Sequence, residues 1–127
     1  MLDKSRVSGW HWVMQRVSAL FLAFGLSLHL LVLHYGKLPG GNVMPAATST
    51  AKRFGGDSTF LWVVFDTLLL GCALYHALNG VYNMVMDYNP GPGFKKTFAW
   101  VLWAVGLAAF GFGFILIGKF VGFAMAA

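Results

Sequence analysis

The sequence predicts an all-α integral membrane protein with three transmembrane helices, and three observations carry that prediction. First, 58% of the 127 residues are hydrophobic and 10% are charged, with a mean hydropathy of +0.70, too few charges to clothe a soluble globule of this size. Second, three apolar windows, about 13–35, 58–86 and 97–124, each reach the roughly 20 residues that a helix needs to cross a hydrocarbon core of about 30 Å. Third, helix-breaking stretches separate them, "GKLPGGNVMPAATSTAKRFGGD" at 36–57 and "NPGPG" at 89–93. No length is left for a soluble domain, so residues 1–127 read as one membrane domain.

The lead to the first window, residues 1–12, is polar and aromatic, and its Trp10 and Trp12 suit a membrane–water interface. This window does not read as a cleavable signal peptide, because His11, Gln15 and Arg16 precede or interrupt it and no small-residue cleavage site follows at the right distance. The second window has Asp57 or Ser58 placed to cap its helix, and "NPGPG" ends it. In the third, Gly111, Gly118 and Gly122 fall on one helical face, and the last two have small-xxx-small spacing. Such a face admits another helix at close range, and three helices seldom close a functional bundle alone, so a partner subunit is expected. Lys119 is the only charge within that span.

The formal net charge of +5 does not point to nucleic acid, because the basic residues flank the spans as interfacial anchors do. Lys4, Arg6, Arg16, Lys95 and Lys96 lie on the N-terminal side, against Lys37, Lys52, Arg53 and Lys119 on the other, a small excess that favours a cytoplasmic N-terminus. The single cysteine, Cys72, lies mid-span and excludes an internal disulfide.

The polar residues inside the spans carry the functional argument. At about 100° per residue, His76, Gly80, Asn83 and Asp87 line one stripe of the second helix, with Asn79 beside it. Polar groups at membrane depth turn toward a bundle interior, where they pair or bind something. A histidine with a glycine one turn on suits an axial haem ligand, the missing side chain leaving room for a macrocycle; the competing reading is a histidine hydrogen-bonded to a neighbouring helix. The first helix holds His29, also one turn from a glycine, Gly25, and His34, which reads as interfacial beside Tyr35. His29 is the better ligand candidate of the two, again against a structural role. If Arg16 and Tyr88 mark one surface, His29 and His76 each lie roughly 20 Å from it, near mid-membrane. Asp66, in "WVVFDTLLL", lies toward the opposite surface and reads as the partner of a cation such as Lys52 or Arg53, or of a partner subunit, in preference to a proton path.

Two stretches together resemble a known family. "SGWHWVMQRVSAL" at 8–20 and "HALNGVYNMVMDY" at 76–88 are similar to the first and second helices of the D-type membrane-anchor subunit of succinate dehydrogenase (succinate:quinone oxidoreductase, complex II). The second motif places a histidine eleven and twelve residues before an Asp-Tyr pair, and the three-span layout extends the resemblance over essentially the whole chain.

The resemblance implies that His76 is one axial ligand of haem b, the other coming from a companion C-type anchor. It implies that Tyr88 hydrogen-bonds a quinone carbonyl with Asp87 beside it, and that Arg16, with His11 and Trp12, lies near the quinone or the haem propionates. Iron–sulfur and flavoprotein subunits are the remaining implied partners, besides membrane lipid. Single-haem members lack a histidine in this first helix, so His29 and His34 leave a second haem, and His29 as its ligand, open. The chain has no nucleotide-binding glycine motif and no cysteine cluster, so succinate chemistry is expected in the partners. A bacterial inner membrane is expected, since no Arg- and Ser-rich transit segment precedes the first motif. Two other readings of the residues stand beside this one: a haem-free anchor that keeps the quinone site, and a non-redox small membrane protein such as a transporter subunit or assembly factor.

Overall fold

The computed structural model describes residues 9–35 and 52–126, without the side chains of residues 33–35, 123 and 125. Helix α1 spans Gly9–Tyr35, α2 Thr59–Met86 and α3 Pro92–Ala126, and the described residues contain no strand. All three helices are long and apolar enough to cross a membrane.

The helices begin earlier than the hydropathy windows in two places. Trp10, His11 and Trp12 belong to α1 and are not a separate lead. Helix α3 starts at Pro92, where proline is well suited, because the N–H it lacks would have had no acceptor within the first turn. The expected loop at 36–57 lies mostly outside the described residues, but Lys52, Arg53 and Phe54 are helical, and Arg53 and Phe54 are buried. Ser58 occupies the N-cap position of α2 without a capping hydrogen bond from its side chain, contrary to expectation. The chain turns there through Thr59, whose N–H and hydroxyl both donate to the carbonyl of Gly56.

Between α2 and α3 the break falls where "NPGPG" places it. Asn89 takes a left-handed φ of 49°, which asparagine tolerates better than most residues, and its N–H closes on the carbonyl of Met86 at 2.9 Å. Lys95 Nζ then donates to Asn89 Oδ1 at 3.1 Å, tying the first turn of α3 to the bend.

Helix α2 packs against both other helices, and α1 and α3 make no close contact with each other. The α1–α2 register can be read from four facing pairs: Gln15 with Asn79, Ser18 with His76, Gly25 with Leu69 and His29 with Asp66. Residue numbers in each pair sum to 94 or 95, so the two helices stay antiparallel and in step over some 20 Å. Close approach depends on missing side chains. A Cβ on Gly25 would meet Leu69 Cδ1 at 3.2 Å, and one on Gly113 of α3 would meet Leu70 Cδ2 at 2.6 Å. By contrast, a Cβ on Gly111, Gly118 or Gly122 would meet nothing within 4 Å. Among the described residues the glycine face singled out in the sequence is therefore open, and Gly106 and Gly113 serve the α2–α3 seam instead.

Candidate functional site

Three polar groups stand along α2, at the α1–α2 seam near its middle, at the same seam further along, and in the bend after its C-terminus. The first is built around His76. The Ser18 hydroxyl donates its one hydrogen to the carbonyl of Gln15 at 3.0 Å. With the hydrogen on that carbonyl, a hydroxyl lone pair faces His76 Nδ1, 3.3 Å away, and the tautomer that matches is the one protonated at Nδ1, with its lone pair on Nε2. The same turn of α2 is held from α1 by Gln15, whose Nε2 donates to the carbonyl of His76 at 3.3 Å and whose Oε1 accepts from Asn79 Nδ2 at 2.8 Å. Both ends of the Gln15 amide are used, and Ser18, 2% exposed, is buried in the seam.

This donor set fits haem ligation in one respect and departs from expectation in another. A neutral imidazole whose Nδ1–H is held by an oxygen, with Nε2 bare, is the arrangement in which histidine binds a metal. However, the direction in which Gly80 lacks a side chain faces Gln15 Nε2 at 3.8 Å. Gly80 thus makes room for α1, not for a macrocycle. Gly25, one turn from His29, likewise faces Leu69.

The second group joins His29, Asp66 and Arg53. His29 Nδ1 lies 3.2 Å from Asp66 Oδ1, and Arg53 Nη1 lies 3.3 Å from Asp66 Oδ2. The Arg53 guanidinium also sits over the rings of Phe54 and Trp62, at 5.2 and 5.0 Å from their centroids. Of the partners expected for Asp66, Lys52, Arg53 or another subunit, the structure supplies Arg53; His29 joins it although nothing in the spacing of two residues 37 apart pairs them.

The register corrects the expected depths. Asp66 precedes His76 by ten residues, about 15 Å along α2, so His29 and His76 stand at different levels and not together near mid-membrane. Arg16, next to Gln15, faces the level of residue 78, with its backbone about 15 Å from the level of Tyr88. The Arg16 guanidinium reaches back toward the start of α1, 5.2 Å from the Trp12 ring centroid. The side chain of His34 lies outside the described residues.

The third group is the Asp87-Tyr88 pair. Asp87 is the C-cap of α2, its N–H bonded to the carbonyl of Asn83, and Tyr88 follows in the bend, 85% exposed. Twelve residues of helix and turn separate Tyr88 from His76, about 18 Å. An open cavity of about 650 Å³ runs along the α2–α3 side and reaches His11 of α1, with Tyr75, Asn79, Tyr82, Asn83 and Trp103 in its lining. His76 is not part of that lining. The three- and four-residue spacing of Tyr75, Asn79, Tyr82 and Asn83 could have announced this second stripe. Among the described residues no three histidine, cysteine or acidic side chains gather into a metal-holding cluster.

Three membrane-length helices, a histidine held at the seam of two of them and an exposed Asp-Tyr pair at the end of one set the comparison with known proteins. The succinate dehydrogenase/fumarate reductase transmembrane subunit family matches residues 2–119. The chain belongs to that family. Neither the comparison with curated proteins nor that with solved structures finds a match. As a member, it is a multi-pass membrane-anchor subunit of a succinate dehydrogenase/fumarate reductase complex and works beside the other subunits of such a complex.

Proposed function

We propose that this anchor subunit completes an electron path between an iron–sulfur subunit and membrane quinone, with His76 as one axial ligand of haem b and Tyr88 as a hydrogen-bond donor to the quinone. The observation that supports the reading is the Ser18–His76 contact: an imidazole donating from Nδ1 to that hydroxyl keeps its Nε2 lone pair for a metal. A C-type anchor supplies the second axial ligand, and a flavoprotein subunit carries the succinate chemistry. A haem bound there would hold one electron at a time by cycling between ferric and ferrous iron. Tyr88 donates to a quinone oxygen whose basicity rises on reduction, and Asp87, next to it, passes protons toward that oxygen. Two electrons and two protons together convert quinone to quinol. Arg16, directed toward the start of α1, offers its charge to a propionate. His29 serves in this reading the ion-pair cluster with Asp66 and Arg53; its Nδ1 contact with an oxygen is of the same kind as that of His76, so haem content in His29→Ala decides whether it is a second ligand. The membrane is a bacterial inner membrane with the N-terminus in the cytoplasm.

One observation favours a second reading, a haem-free anchor that keeps the quinone site: the Gln15 amide fills the space beside Gly80. Reduced-minus-oxidised spectra and quinone reductase assays on the complex purified through this subunit separate the two. The first reading expects a b-type band that His76→Ala abolishes. It also expects Tyr88→Phe to keep the band and lose roughly 10–100-fold in quinone reduction, the worth of a hydrogen bond to a group gaining charge. Absence of the band in the wild-type complex overturns the haem assignment, and full activity in Tyr88→Phe overturns the quinone assignment.

A further inference from the structure

We infer that Ser18 is a positioning residue for His76: its hydroxyl fixes the tautomer and ring orientation of the imidazole and, through them, the affinity and reduction potential of the iron that His76 binds. The inference rests on the haem reading above. It starts from proton counting. A serine hydroxyl has one hydrogen and two lone pairs. With the hydrogen committed to the Gln15 carbonyl at 3.0 Å, only a lone pair faces His76 Nδ1 at 3.3 Å. The imidazole is the donor in that contact, so the nitrogen left to bind a metal is Nε2.

Burial makes the contact selective. Ser18 is 2% exposed, so water does not compete for its oxygen. The same helix supplies an internal comparison. Ser27 bonds back to the carbonyl of Ala23 at 2.6 Å, is exposed, and pairs with no side chain. That is the ordinary behaviour of a serine in an apolar helix. Ser18 makes the same kind of backward bond and adds a second, across the seam, to the one histidine of α2.

The seam also fixes where Ser18 stands. Gln15, one turn away on α1, grips the His76 carbonyl and the Asn79 amide, and Gly25 lets the helices close above it. The acceptor for Nδ1–H therefore comes from a different helix than the ligand, held in register by a separate clamp. An oxygen accepting from Nδ1–H makes the opposite nitrogen a stronger electron donor and orients it. Stronger donation favours ferric over ferrous iron, so losing the acceptor should raise the midpoint potential.

The test uses the complex purified through this subunit, with wild type beside Ser18→Ala, Ser18→Thr, Ser18→Val, Ser27→Ala and His76→Ala. The readouts are haem per complex, the rate of haem loss to excess apomyoglobin, and the midpoint potential from a redox titration. Ser18→Ala is expected to hold haem 10–100-fold more weakly, the usual effect of removing a partner that orients a metal-binding histidine, and to titrate at a higher potential. Ser18→Thr should restore both, and Ser27→Ala should change neither. Threonine and valine share a shape and differ in the hydroxyl, so they decide the matter even if alanine disturbs packing. Equal retention and equal potential in Ser18→Thr and Ser18→Val overturn the inference while His76→Ala still loses haem. Full haem in His76→Ala overturns the parent reading instead.

Discussion

Replacing Asp66 by asparagine preserves the outline of the side chain and removes its charge, and the geometry sets the cost. The Asp66 and Arg53 side chains are 9% and 7% exposed, and their closest charged atoms are 3.3 Å apart. At an effective dielectric constant of about 20, two unit charges at that separation attract by roughly 5 kcal/mol. An asparagine carbonyl still accepts a hydrogen bond from Arg53, returning about 1 kcal/mol, and the neutral amide is easier to bury than the carboxylate. A net loss of about 3 kcal/mol follows, the low end of what breaking one side of a buried pair costs. The assay is reversible unfolding of the purified subunit in mixed micelles with increasing SDS. Removing both charges, as Arg53→Met with Asp66→Leu, should recover most of the loss, because no unpaired ion is left behind. A single Asp66→Asn variant within about 0.5 kcal/mol of wild type would refute the reasoning, since that is how an exposed pair behaves.

The other predictions use the same protein. His29→Ala removes one hydrogen bond from the cluster and should cost about 1 kcal/mol with haem per complex unchanged, whereas a fall in haem content would make His29 a ligand after all. Gly113→Leu forces a side chain into the space held by Leu70 and should destabilise by about 1–3 kcal/mol in the SDS titration. Gly118→Leu, where a Cβ meets none of the described residues, should leave that titration unchanged and lower the recovery of companion membrane subunits in co-purification. Gly80→Ala, with Gln15 at ordinary contact distance, should stay within about 1 kcal/mol of wild type and keep its haem, as measured by the same unfolding curve and by haem spectra.

The three spans were legible in the sequence because apolar length is a property of consecutive residues, and so was the bend at Asn89, where local backbone preference decides. Partner choice was not. His76, Gly80, Asn83 and Asp87 share a face by helical periodicity, yet Gly80 meets Gln15 whereas Asn83 lines the α2–α3 cavity, because α1 covers only part of that stripe. Hydropathy also carries no register: Gln15 meeting Asn79 sets the slide between helices, and no term in a hydropathy profile records a slide. The His29–Asp66 contact follows from that same slide. The glycines show the limit in another way: spacing identified a face at 111, 118 and 122, but whether a glycine face is already filled depends on which neighbour the helix has.

The absence of contact between α1 and α3 bears on how the subunit exists in a cell. Three helices in a row, with only the middle one flanked on both sides, enclose little; among the described large side chains of these helices Leu69 alone is buried. Contacts with companion subunits therefore add to those that α2 provides. Folding and incorporation into the complex are then linked, and a subunit made in excess of its companions is a substrate for membrane proteases. The steady-state amount of this polypeptide should follow the supply of its companions more closely than its own rate of synthesis.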